Sequence, residues 1–130
     1  MEHKGIELHD STIHALLHVD GNVVLMMNVC VHSSTGRPGR DDGHGWFQHA
    51  EVVIAGAEVN RMPEGATLRV RDGSVRVGTR RFENLLPLPC DMAGEVELEF
   101  HGQKGSVVVK GIGISVKLTG QPGPIEEFRA

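Results

Sequence analysis

In GEVELEFHG, residues 94–102, Val96, Leu98 and Phe100 alternate with Glu95, Glu97, Glu99 and His101. Successive side chains of an extended chain point to opposite faces, so a period of two predicts a strand with one buried and one wet face. The pattern continues through GSVVVKG and GIGISVKLTG, where Ile112, Ile114, Val116 and Leu118 alternate with small or polar residues. It recurs in NVVLMMNVCVH, QHAEVVIAGAEV and around Leu85 to Leu88. STIHALLHV also fits a short helix capped by Ser11, and the strand reading is adopted here. Seventeen glycines spread along the chain supply turns between the runs. Asp20-Gly21 and Asp72-Gly73 each lie between apolar runs, the arrangement of a two-residue hairpin turn. The sum is roughly eight to ten short strands and no helix. That predicts an all-β chain: one antiparallel β-sandwich domain over 1–130, jelly-roll-like or barrel-like, with a long Gly-rich loop at 33–46.

A chain of 130 residues is long enough to bury a core without metal or disulfide support. Aromatic residues make up 4% and Tyr is missing, so that core must come from Val, Leu, Ile and Met. The net charge of -4 argues against a generic nucleic-acid binder. No apolar run approaches the ~20 residues of a membrane span. Cys30 and Cys90 form no CxxC pair, and MEHKGIELHD has no apolar signal core. Reduced, buried thiols in a cytoplasmic protein are the expectation.

His9-Asp10-Ser11 leads into the alternating run Ile13 to Val19 and a hairpin. Asn84-Leu85-Leu86-Pro87-Leu88-Pro89 then precedes the last strands, and Glu126-Glu127-Phe128 forms an acidic-aromatic tail. In this layout the chain resembles small bacterial β-sandwich proteins that begin with an HDS or HDA element, some labelled toxin-immunity proteins. The resemblance implies the fold and a non-enzymatic binding role; it carries over no catalytic residue, and Gly120-Gln121 stands where Gly-Glu is expected.

HSSTGRPGRDDGHGWFQHAE, residues 32–51, concentrates His32, Asp41, Asp42, His44 and His49. Imidazole and carboxylate suit a divalent transition metal if three or four converge. The spacing matches neither HxH, HExxH nor a cupin pattern, and a solvated loop anchored by Trp46 and Phe47 explains the same residues. Asp41 and Asp42 could form an acid-base pair, but nothing positions a substrate between them. His14 and His18 would share a metal on a helix; on a strand they lie ~13 Å apart. His9-Asp10-Ser11 has the residue types of a hydrolytic triad, but adjacency is the wrong geometry. Asp10 or Ser11 is expected to bond nearby backbone N–H groups instead.

RVRDGSVRVGTRR offers a second candidate surface. A turn at Asp72-Gly73 would put Leu68, Val70, Val75 and Val77 inward and Arg69, Arg71 and Arg76 outward, with Arg80 and Arg81 beyond. Facing like charges need an offset. Glu95, Glu97 and Glu99 could supply it within the fold, and an acidic protein partner could supply it from outside. No aromatic residues stand ready to stack bases. Two functions follow. The first is a non-enzymatic interaction protein, immunity-type, with an acidic partner or as a homodimer through open sheet edges, and with no nucleic acid or membrane. The alternative is a divalent-metal-binding protein or metal-dependent enzyme using loop 32–51.

Overall fold

A computed structural model of the chain describes residues 2–63, 65 and 67–129. The chain is all-β, with every strand pair antiparallel. Long strands β1 (His3–Val19), β2 (Asn22–Ser34) and β3 (Gly43–Ala55) are followed by short ones, β4 (Glu58–Arg61), β5 (Leu68–Arg69), β6 (Asp72–Val77), β7 (Arg80–Glu83) and β8 (Leu85–Leu88). A long hairpin, β9 (Asp91–Gly102) and β10 (Gly105–Thr119), and the short β11 (Glu126–Phe128) complete the set. These are eleven described strands, slightly more than expected because the region after Glu58 is cut into short pieces.

They form one sheet in the order β5-β1-β2-β3-β10-β9-β6-β7, with β8 also on β1, β4 on β10 and β11 on β3. The sheet curls into a half-barrel. The all-β, antiparallel character expected from the sequence is present, as one curled sheet rather than as the two separate sheets of a sandwich. Backbone bonds from Leu8 to Asn84 (2.8 Å) and from Val70 to Ser11 (2.8 Å) tie β1 to the segments flanking β6 and β7. The described residues include no helix, so none is long and apolar enough to cross a membrane.

The alternation read in the sequence fills the concave side. Val23, Leu25, Met27, Val29 and Val31 of β2 are all essentially inaccessible, as are Leu98 and Phe100 of β9 and Val107 and Val109 of β10. The even-numbered side chains of β2 therefore point to the convex side, and Cys30 and His32 are among them. Asp20 and Gly21 both have positive φ (50° and 80°), and Val19 pairs with Asn22, so the first Asp-Gly hairpin forms as expected.

The second does not. Asp72 and Gly73 lie inside β6, and the turn falls at Gly78-Thr79, where Val77 pairs with Arg80. Leu68 and Arg69 pair instead with Ile13 and Thr12 of β1, which buries Leu68 and Val70 in the common core. Core burial outweighs the local turn preference of Asp-Gly.

Cys30 and Cys90 are both buried free thiols, as expected. Burial, then the Asp91 carboxylate, pushes the Cys90 thiol up to about 11 from its ordinary 9.0. A raised folded-state value means that the neutral thiol favours the fold. This contribution is complete below pH 9 and is lost as pH rises toward 11, up to about 2–3 kcal/mol. The wild type should therefore lose stability against Cys90→Ala across that interval in urea unfolding. Parallel stability curves for the two proteins would contradict the assignment.

Candidate metal centre

The site begins with an irregularity in β1. Glu7 pairs with Cys30, but the next ladder pair is Thr12 with Asn28. Five steps along β1 thus match two along β2, and the surplus residues form a bulge containing His9, Asp10 and Ser11. Asp10 takes φ 68°, a conformation that Asp tolerates better than most residues. The buried Ser11 hydroxyl accepts the Cys30 N–H (3.2 Å) and donates to the Glu7 carbonyl (2.6 Å). It bridges the two strands where the bulge interrupts their ladder. Ser11 is therefore a structural residue, with the backbone-bonding role expected of it.

Beside the bulge, three side chains meet on the convex face. Glu7 Oε2 lies 3.2 Å from His32 Nε2 and 4.0 Å from Cys30 Sγ, and Sγ lies 3.5 Å from the same Nε2. Register explains the meeting. Glu7 is directly opposite Cys30, and Cys30 and His32 share a face at spacing two. His32 stands between Gly5 of β1 and Gly45 of β3, two positions that carry no side chain. The Glu7 and His32 side chains are 15% and 10% exposed. His9 Nε2 also lies 3.4 Å from the same Glu7 oxygen, and its side chain is 40% exposed. Glu7, Cys30 and His32 form one metal-competent set, and Glu7, His9 and Asp10 another.

The charges around the thiol are negative. Burial first, then Glu7, Asp10 and Glu126, push Cys30 up to about 11. The same carboxylates attract a cation, and a coordinated divalent ion inverts the balance by displacing the thiol proton.

Two clefts border the cluster. One of about 480 Å³ is lined by Glu7 and His9, by the Arg37–Arg40 turn and by Glu83, Asn84 and Leu85. A smaller one of about 220 Å³ opens beside Cys30 and His32 under Pro124, Glu126 and Glu127.

The Gly-rich loop is shorter than expected. Ser33 pairs with His44 and Ser34 with Gly43, so residues 33–34 and 43–46 belong to β2 and β3, and only 35–42 connect them. The loop does fold back on the site, but with its backbone. At Gly39, φ is 78°, and an added Cβ would lie 2.6 Å from Glu7 Oε1. Asp41 Oδ2 accepts the Arg37 N–H (2.5 Å), and the Asp42 carbonyl accepts the Ser34 hydroxyl (2.7 Å). Trp46 packs on the core as expected, whereas Phe47 is 47% exposed and does not.

Of the five metal candidates, only His32 enters a metal-competent cluster among the described residues. Asp41 is committed to the loop turn. His44 pairs with Ser33 and so points to the face opposite His32. His49 shares the face of His32, but it lies four residues along β3 from Gly45, the partner of His32, or ~13 Å. Its ring sits 6.1 Å from that of His14. The missed residues are Glu7, His9 and Cys30. Cys30-x-His32 was visible as a same-face pair on a strand; the position of Glu7 depends on the register of β1.

The arginines do not form one face. Arg76 stands opposite Arg81 on β7 and Glu97 on β9. It binds Glu97 at 3.2 Å and the Gly78 carbonyl at 3.0 Å. Hydrogen bonds from Glu99 and then Arg76 hold the Glu97 carboxyl below its usual range. Arg81 binds Glu83 (2.7 Å), Arg80 lies 5.0 Å over the Phe82 ring, and Arg69 reaches Asp10 at 3.9 Å. Arg71 donates its backbone N–H to His101, outside any hairpin with Ser74. The Glu97 offset expected within the fold is therefore present. Comparison with protein-family models, curated proteins and solved structures gave no match, so the functional reading stands on this geometry.

Proposed function

We propose that the protein binds one divalent transition metal ion, with zinc the best fit, through Glu7, Cys30 and His32. One observation carries this: three ligand atoms of three chemical types converge within 4.0 Å of one another, so that only the Glu7–Cys30 separation must close by a few tenths of an ångström to reach tetrahedral spacing. Ligands ~2.0–2.3 Å from zinc lie ~3.3–3.6 Å from each other in a tetrahedron. The separations here are 3.2, 3.5 and 4.0 Å. Thiolate with imidazole selects zinc over the hard, oxygen-seeking cations. Three protein ligands leave a fourth position for water or a ligand, the pattern of an open rather than a purely structural site. His9, touching the ligand carboxylate and facing the larger cleft, would orient Glu7 in the way outer partners fix metal ligands.

The interaction-protein reading has one observation of its own, the facing Arg76 and Arg81. Glu97 and Glu83 already bind them, so an acidic partner would have to displace internal carboxylates. The metal reading needs no such rearrangement. Untagged, EDTA-treated protein should take up one equivalent of zinc, measured by equilibrium dialysis with elemental mass spectrometry. Uptake far below one equivalent, or several weak equivalents without saturation, would contradict it.

A further inference from the structure

We infer that the cleft between Glu7 and the 37–40 turn is a binding site for a small oxyanion, a carboxylate or a phosphate group, held by Arg37 and Arg40. This rests on the metal reading, because the ion would neutralise Glu7, which lines the same cleft. The turn is built, not loose. The Arg40 and Asp41 N–H groups both donate to the Arg37 carbonyl (3.0 and 2.8 Å), and Asp41 Oδ2 accepts the Arg37 N–H. Arg37 and Arg40, three apart in this single turn, both border the cleft. Among the described residues neither guanidinium has a carboxylate within ion-pair distance, which they share with Arg61, Arg71 and Arg80, whereas Arg69, Arg76, Arg81 and Arg129 are paired. Gly39 packs directly against the Glu7 carboxylate, which fixes the turn at the rim of the cleft that both line. A volume of about 480 Å³ lies in the range of small-ligand sites. Guanidinium forks recognise planar carboxylate and phosphate oxygens.

The test uses two probes, inorganic phosphate and acetate, titrated into zinc-treated, dialysed protein while the arginine Nε–H resonances are followed by NMR. The expected result is a saturable shift at Arg37 and Arg40 with at least one probe, and the responding probe names the ligand class. Arg37→Gln/Arg40→Gln should weaken that binding about tenfold or more while zinc uptake stays unchanged. Arg37→Lys/Arg40→Lys should recover it only in part, because the charge returns without the fork. No saturable shift with either probe, or an affinity indifferent to the double Gln substitution, overturns the inference. Zinc uptake is read separately, so failure of the metal site and failure of the oxyanion site are distinguishable. If the chain takes up no zinc, the same titration of the metal-free protein decides the oxyanion site by the same criteria.

Discussion

Phe100→Ala is expected to cost about 3–5 kcal/mol of stability, a large part of the 5–15 kcal/mol typical of a folded domain. Phe100 is 1% exposed and is the largest fully buried side chain described. Its ring lies over Gly73 of the neighbouring β6, so close that a Cβ on Gly73 would stand 2.8 Å from Phe100 Cδ1 and 3.2 Å from Leu8 Cβ. Truncating the ring leaves a void where β9, β6 and β1 meet, and the rigid strands around it cannot close over it. Gly73→Val should destabilise by the opposite route, overpacking, at ~1–3 kcal/mol. The check is the midpoint of urea unfolding for each variant. A loss below ~1 kcal/mol for Phe100→Ala would show that the ring does not organise this junction.

The second large effect concerns the metal ligands. Cys30→Ser and His32→Ala should each weaken zinc binding by roughly a hundredfold or more, since even outer partners of a ligand are worth ~10–100-fold. His9→Gln should fall within that smaller range. Zinc at a hundred times its dissociation constant adds about 2.7 kcal/mol to stability, which raises Tm by on the order of 10 °C in a domain of this size. Thermal unfolding with zinc and with EDTA should show this difference in the wild type and lose it in both ligand variants. A zinc-dependent rise that survives His32→Ala would place the metal elsewhere.

The strands were legible because their period of two reflects a curled sheet with one dry face. Val23 to Val31 and Val96 to Phe100 announce that face directly. The Asp20-Gly21 turn was legible for the same local reason. Asp72-Gly73 carried the same turn signal, but Leu68 pairs with Ile13 of β1, the Val70 N–H donates to the Ser11 carbonyl, and both side chains are buried there. The loop showed that residues converge near His32 but not which ones. Asp41 and His44 drew attention by their chemistry, yet one closes a turn and the other points to the opposite face. Glu7 reaches Cys30 only because strand pairing sets them opposite each other, with the His9-Asp10-Ser11 bulge absorbing the surplus residues beyond. A bulge is a property of two strands together, and one strand's pattern does not contain it.

The most direct measurement is a cobalt(II) titration of metal-free, untagged protein followed by absorption. Cobalt(II) takes the same ligands as zinc and, unlike zinc, absorbs light according to them. Coordination through Glu7, Cys30 and His32 predicts a thiolate-to-cobalt charge-transfer band that saturates at one equivalent, disappears on addition of zinc and is missing in Cys30→Ser. A featureless titration, or a band that persists in Cys30→Ser, would contradict the metal centre.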